Sequence, residues 1–404
     1  MRAGYDLFDM GISRRATLGG GGMLLAGAML PGVGALARES ADKAPDAAKS
    51  SAVLFQMISA PLTLAYEGAF TRGREQFELF NDTGFLVRAT AETGEDVQLW
   101  VFFYQQRGKE MVIDGDLTQT ALVVTDFSGP DSEKMHDTPF INKGQSVEDY
   151  FAPGTMKIVE TPTSVTWSIG GREMHTDGKT WRVTGEHAGV KTDLRFTPRG
   201  PGFFHVGRFE DLGTRPGAAG YQAHMNAEGL IEFRGRVLKV KGYAVHERII
   251  LSFPTLPPRL AKNRGAGSNW MHSFGDEFSF YILNAAEGGH ATGMINMKSG
   301  EQYRAVGMEN IIVEPTDVWV DPLTLQQLPR QWRITMKTPQ GDLHATMSAN
   351  GRGYYYWMRE GGLMIVNQFA GVSDASFTPK DGKAIVSRQL AHNEFMRTFY
   401  EQHA

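Results

Sequence analysis

The stretch Gly229-Leu-Ile-Glu-Phe-Arg-Gly-Arg-Val-Leu-Lys-Val-Lys-Gly-Tyr-Ala-Val-His-Glu-Arg248 decides how the rest of the chain is read. Apolar and polar residues alternate on both sides of Gly235, the period of a half-buried strand. The glycine between the two runs supplies a tight turn, so the segment reads as strand, turn, strand. Outward from it the same text recurs. Residues 98–104 and 121–125 are short apolar or β-branched runs, and 164–169, 180–184 and 192–197 alternate with a period of two. Asp114-Gly115, Gly170-Gly171 and Asp177-Gly178 mark turns between them. Further runs follow at 278–284, 291–297, 310–314, 332–336, 342–348 and 363–369. Many short strands at this spacing predict an all-β, antiparallel sandwich or barrel. Helices are expected only at 146–151 and at 386–402, where Leu390, Phe395, Met396 and Phe399 share one face. The Gly- and Pro-rich segment 211–220 is the expected boundary, giving two β-domains, 52–220 and 221–404.

Composition limits the classes of function. The 404 residues carry a net charge of −4 and no cysteine, which excludes disulfides, thiolate nucleophiles and cysteine metal sites. A mildly acidic chain does not suit a nucleic-acid partner. The 24 Phe and 7 Trp residues supply core, with a surplus of apolar wall for a ligand.

The first residues read as an export signal. Ser13-Arg14-Arg15-Ala16-Thr17-Leu18 is followed by the weakly apolar run 19–30, and Ala35-Leu36-Ala37 forms a small-x-small cleavage site. The paired arginines point to the twin-arginine machinery. The run is too short and glycine-rich to span a bilayer about 30 Å thick, so no transmembrane segment is expected in the mature chain. Residues 1–37 are read as a twin-arginine signal peptide and the polar stretch 38–51 as a disordered leader. The mature protein is expected to be periplasmic or secreted.

The segment 229–248 resembles a signature of the carotenoid hydratase (hydroxyneurosporene synthase) superfamily. Trp270-Met-His-Ser-Phe-Gly-Asp-Glu-Phe-Ser-Phe-Tyr-Ile-Leu-Asn284 is similar to its next strand pair. Trp319-x-Asp-Pro followed by Leu328-Pro-x-x-Trp332, and Trp357-Met-Arg-Glu-Gly361 followed by Asn367-Gln-Phe-Ala-Gly371, resemble later signatures. Trp181-Arg-Val with Leu194-Arg-Phe-Thr-Pro198 is similar to a first-domain strand. This chain has Val245 where the family often has an acid and Arg248 where Trp is usual. The resemblance spans most of residues 60–380. It implies two lipocalin-like β-barrel or half-barrel domains packed together, here with a short C-terminal helix. Members include hydratases and cyclising enzymes, and fold alone does not fix chemistry.

Two clusters carry candidate chemistry. Tyr243, His246 and Glu247 lie on one strand, and the last two, being consecutive, point to opposite faces. Arg248 shares the side of His246. A histidine there serves as a general acid near neutral pH, or ties the two domains together through hydrogen bonds. In the second cluster Trp270, His272 and Phe274 share a face, with Asp276 and Glu277 following. An imidazole and a carboxyl among aromatic rings suit protonation of an apolar substrate, because burial raises the carboxyl pKa and ring faces stabilise a cation. The bland alternative is sheet core with a capped turn at Gly275-Asp276. Tyr356 and Trp357 are a ligand-stacking wall or simply strand core.

There is no Gly-x-Ser-x-Gly elbow, no P-loop and no His-x-His or His-x-x-x-His pair, so neither cofactor nor metal is expected. The sequence predicts a cofactor-independent lyase or isomerase (hydratase, dehydratase or cyclase type) acting on an apolar, alkene-bearing small molecule such as a terpenoid, steroid or polyketide. His246, Glu247, His272, Asp276 and Glu277 are the candidate acid–base groups. Tyr243, Trp270, Phe274, Tyr356 and Trp357 are the candidate substrate contacts. The alternatives are a non-catalytic carrier or sensor of a lipophilic ligand and, more remotely, a carbohydrate-active enzyme with two carboxylates flanking a groove.

Overall fold

A computed structural model describes residues 57–108, 115–125, 147–213, 216–254, 267–285, 290–321, 327–359 and 362–400; for 147–150, 355–359, 362–364 and 398–400 it describes the backbone only. The expected signal peptide and leader lie outside these residues.

The described residues form strands and two single 3-10 turns, without an α-helix. The first sheet comprises β1 (Ile58–Ala60), β2 (Glu78–Ala91), β3 (Asp96–Arg107), β4 (Gly115–Thr125), β5 (Val147–Phe151) and β6 (Lys157–Glu160). It continues through β7 (Val165–Ile169), β8 (Arg172–Thr176), β9 (Trp181–His187), β10 (Val190–Pro198) and β11 (Gly202–Gly207) to β12 (Gly217–Phe233) and β13 (Arg236–Phe253). The second holds β14 (Ser268–Phe274), β15 (Phe278–Ala285), β16 (His290–Met297), β17 (Gln302–Val306) and β18 (Ile311–Val320). It is completed by β19 (Gln327–Thr338), β20 (Gly341–Arg359), β21 (Gly362–Pro379) and β22 (Ile385–Tyr400). Their spatial orders are β5-β4-β3-β2-β13-β12-β10-β9-β8-β7-β6 and β17-β16-β15-β14-β22-β21-β20-β19-β18, all neighbours antiparallel. Each sheet curls into a lipocalin-like half-barrel around a core of its own.

A third apolar layer lies between the two sheets. One face of β2, β3 and β13 fills the first core with Phe85, Val101 and Ala244. The other face sends Leu86, Trp100, Phe102 and Val245 into the layer, where they meet Trp270, Phe274 and Tyr281. The outer strands β8 and β10 alternate buried and exposed, whereas β14 and β15 are buried at every position. A strand covered on both faces loses the period-two signal.

This double burial explains the corrections. The helix expected over 386–402 is instead β22, hydrogen-bonded between β14 and β21. Ala391 and Phe395 face the second core while His392 meets the first sheet, so apolar residues recur at helix-like intervals in an extended strand. The expected 146–151 helix is β5, paired with β4. Residues 217–220 of the expected boundary begin β12 within the first sheet, and among the described residues the chain changes sheet between Phe253 and Ser268. Gly220 serves close approach rather than a linker, since a Cβ there would sit 3.0 Å from the Arg248 carbonyl and 3.2 Å from Val206.

Arg88 pins the two sheets together. Its guanidinium forks onto Asp96 at 2.6 and 2.9 Å and donates across the interface to the carbonyls of Ala391 and Gly371, at 2.8 and 2.9 Å. Arg88 is fully buried and Asp96 nearly so. Removing one member of such a pair strands a buried charge, which costs about 3–5 kcal/mol. Arg88→Met should therefore lower unfolding stability by about that much in urea titration. Arg88→Met/Asp96→Leu should recover a large part of the loss.

Candidate functional site between the two sheets

His246 and Glu247 are neighbours on β13 in two different environments. His246 faces the first core, where Nε2 donates to Glu67 at 3.2 Å and Nδ1 donates to the Gly84 carbonyl at 3.0 Å. The Tyr221 hydroxyl also donates to Glu67, and Phe85 stacks on the imidazole at 4.7 Å. Burial alone would raise the Glu67 pKa, but His246, Tyr221 and Arg248 together hold it below the usual carboxylate range. Arg248 donates to the carbonyls of Asp82, Ile249 and Gly68, and burial lowers its pKa to about 10.

Glu247 points the other way, into the layer between the sheets, and is fully buried. Gln222, its cross-strand partner on β12, donates to Oε1 at 2.6 Å. His205 Nε2 lies 3.2 Å from the same oxygen without an aligned hydrogen bond, and Oε2 has no protein partner. Burial pushes the Glu247 pKa up to about 8, against the opposing pull of Gln222 and His246. Burial thus favours the protonated form of this carboxyl. Burial also drops His205 to about 3, so its imidazole is neutral.

The second sheet completes the layer. Trp270 and His272 on β14 stand opposite Glu394 and His392 on β22, and His272 stands opposite Tyr281 on β15. The His272 ring centroid is 4.2 Å from Trp270 and 5.0 Å from Tyr281. Tyr281 lies 6.5 Å from His205 and joins the two halves of the cluster. Burial holds His272 and His392 well below the ordinary imidazole value and Tyr281 and Glu394 well above theirs; Glu247 adds to the rise of both Tyr281 and Glu394. Glu247 Oε2, Glu394 Oε2, His272 Nε2, His392 Nε2, the Tyr281 hydroxyl and Trp270 Nε1 are all buried without a protein hydrogen-bond partner. Such a concentration exceeds the few orphan groups a native core tolerates. Among the described residues no group of three or more His, Cys, Asp or Glu is placed to hold a metal ion.

The expected site residues divide accordingly. Glu247, Trp270, His272 and Phe274 are brought together in the layer. His246 is not, because alternation turns it into the first core. Asp276 and Glu277 lie beyond the end of β14, where the chain turns. Asp276 is exposed and accepts from the Tyr243 hydroxyl at 2.6 Å, and Glu277 is exposed in an ion pair with Lys298 at 2.8 Å. Gly275 and Asp276 lie in the turn between β14 and β15. Tyr243 stacks on Phe274 at 5.9 Å and also lines a surface groove of about 510 Å3 with Arg195, Lys241 and Asp276. Burial and Asp276 raise its pKa to about 12. The side chains of Tyr356 and Trp357, on β20, lie outside the described residues. Sequence reasoning missed His205, Gln222, His224, Tyr281, His392 and Glu394 as site residues. The signal available for Tyr281 was its strand pairing with His272 across the Gly275-Asp276 turn.

No protein-family model and no curated protein matches the chain. Solved structures do. CghA, with Sch210972, aligns over 87% of this chain and 97% of its own, at 9% identity and a TM-score of 0.51. Kievitone hydratase from Nectria haematococca aligns over 85% and 97%, at 10% identity and 0.46. A candidate AttH from Nitrosomonas europaea aligns over 83% and 99%, at 15% identity and 0.46. The likeness to CghA, at this identity, is one of fold.

The shifted groups predict a pH profile of stability. Folding raises the Glu247 pKa from 4.5 to about 8, so the native state holds an extra proton between those values. Its contribution is full below about pH 4.5 and lost as pH rises through about 8. His205 and His224, lowered from 6.5 to about 3, act oppositely: their contribution is present above about 6.5 and lost as pH falls towards 3. The melting temperature should peak near neutrality and decline on both sides. Glu247→Gln should flatten the decline between pH 6.5 and 8.5 and leave the acid limb in place.

Proposed function

We propose that the protein is a cofactor-independent lyase or isomerase whose substrate, an apolar alkene-bearing small molecule such as a terpenoid, steroid or polyketide, binds between the two sheets. The observation that carries this reading is Glu247, a buried carboxyl kept protonated near neutral pH, with an unpartnered oxygen in an aromatic layer beside a neutral imidazole. A pure carrier needs an apolar wall with few polar anchors. A proton donor needs a carboxyl whose pKa has been moved to the working pH.

In this mechanism Glu247 gives its proton to the double bond, and the faces of Trp270 and Tyr281 shield the cation. Neutral His205, 3.2 Å from Glu247, takes up the proton released when water adds or when the neighbouring carbon loses hydrogen and hands it to the Glu247 carboxylate, which restores the acid. Gln222 fixes the carboxyl so that its free oxygen faces the substrate. The likeness in fold to CghA and the sequence resemblance to the carotenoid hydratase superfamily support the placement in this group of enzymes. Export by the twin-arginine machinery belongs to the same proposal and rests on Arg14, Arg15 and the cleavage pattern at 35–37.

Native mass spectrometry of the purified mature protein, with identification of any released molecule, supplies the substrate class for a turnover assay. Loss of a general acid costs about 10²–10⁴-fold in rate, so Glu247→Gln should lower kcat by at least about 100-fold while binding persists. Wild-type turnover should fall as pH rises through about 8. A ligand bound equally by both proteins and converted by neither would establish a carrier instead.

A further inference from the structure

We propose that His272 acts as a neutral hydrogen-bond donor, presenting Nε2–H to an oxygen atom of the substrate, and that His224 and Ser279 link it to solvent as a proton relay. This assignment rests on the interface layer being the substrate site. It adds a requirement that acid chemistry at Glu247 does not impose: the substrate carries a carbonyl or hydroxyl oxygen beside His272.

The relay begins at the surface. A dimple of about 20 Å3, lined by Arg199, His224, Ser279, Asn296 and Gln302, has room for about one water. Gln302 Nε2 donates to the carbonyls of Pro201 and Gly202, at 3.0 and 3.2 Å, which fixes that atom as the nitrogen. The same nitrogen donates to Asn296 Oδ1 at 2.8 Å, so the other end of the Asn296 amide, Nδ2, faces His224 Nδ1 at 3.3 Å. Asn296 Nδ2 only donates, and the Ser279 hydroxyl, 2.7 Å from the same nitrogen, is able to donate as well, so His224 Nδ1 is assigned as the acceptor and the proton of this ring to Nε2. His224 Nε2 is 3.0 Å from His272 Nδ1. It donates there, and the His272 proton is therefore on Nε2, buried and without a protein partner beside Trp270 and Tyr281. Four side chains in series thus set one tautomer.

The chain is also continuous for protons. Ser279 Oγ is 2.7 Å from His224 Nδ1 and lines the dimple. When the His272 Nε2 proton passes to the substrate oxygen, His272 Nδ1 takes the Nε2 proton of His224. His224 Nδ1 takes the Ser279 hydroxyl proton, and a solvent proton entering at the dimple restores the hydroxyl. The substrate gains one proton and solvent loses one. Each imidazole exchanges tautomer and neither becomes charged, which matters because burial makes imidazolium unfavourable at both rings. The reverse hop, when the oxygen later loses its proton, resets the relay.

The test is nitrogen-15 NMR of histidine-labelled protein, which needs no substrate. At pH 7 both His224 and His272 should be protonated on Nε2 and not on Nδ1. Asn296→Asp replaces the donor facing His224 with an acceptor, so both rings should switch to the Nδ1-protonated form. His224→Gln keeps a donor towards His272 but blocks conduction. Exchange of the His272 ring proton with deuterium should slow at least about tenfold, with the β14 backbone amides unchanged. Wild-type His272 protonated on Nδ1, or tautomers unmoved in Asn296→Asp, would overturn the assignment; so would unchanged exchange in His224→Gln. Should the NMR results hold while Glu247→Gln turns over normally, the relay stands and the acid role of Glu247 fails.

Discussion

The site depends on the period of two along β13. Because both faces of this strand are buried from Ala244 to Ser252, consecutive side chains there enter separate environments: His246 the core of the first half-barrel, Glu247 the layer shared by both. A slip of one residue in the pairing with β2 and β12 would exchange them, placing the paired imidazole in the interface and the unpaired acid in the core. The register is set on both sides, by fourteen partners with β2 and seventeen with β12. Strand pairing, rather than any feature of the carboxyl itself, therefore decides which acid meets the second sheet.

Glu67 and Glu247 make the electrostatic logic visible. Both are glutamates and both are fully buried. Glu67 is met by His246, the Tyr221 hydroxyl and nearby Arg248, and its pKa falls below normal. Glu247 is met by an amide and an imidazole that burial keeps neutral, and its pKa rises to about 8. Desolvation is the largest influence on each, so the sign of the outcome rests on the partners. The same rule separates Arg88, whose buried charge is matched by Asp96, from the interface histidines, which surrender theirs.

The fold was legible where strands have one wet face. Runs such as 164–169 and 192–197 alternate because β7 and β10 cover the first core from outside. It was misread where strands are dry on both sides, and β22 is the clearest case: Leu390, Phe395 and Met396 imitate a helical stripe although they belong to opposite faces of a strand. The candidate site was legible in part. Alternation correctly separated His246 from Glu247 and grouped Trp270, His272 and Phe274. It failed at Asp276 and Glu277 because β14 ends at Phe274, and a face argument does not survive a turn. His392 joins His272 through the β14–β22 pairing and His224 reaches it across the interface from β12, contacts that no local pattern encodes.

Gly84 shows how closely the two environments are tied. It pairs with Glu247 on one side and with Phe102 on the other, and its carbonyl accepts the His246 proton. A Cβ at this position would lie 2.4 Å from the Phe102 ring and from the Val101 carbonyl, so the missing side chain is what lets Phe102 lie across β2. Phe102 in turn stacks on Trp100 at 4.5 Å, and Trp100 meets Trp270 of the second sheet at 6.1 Å. One glycine thus anchors the core-facing imidazole through its backbone and seats the aromatic wall through its lack of a side chain. The acid at 247 sits between these two constraints, which is why its position is as fixed as the sheet itself.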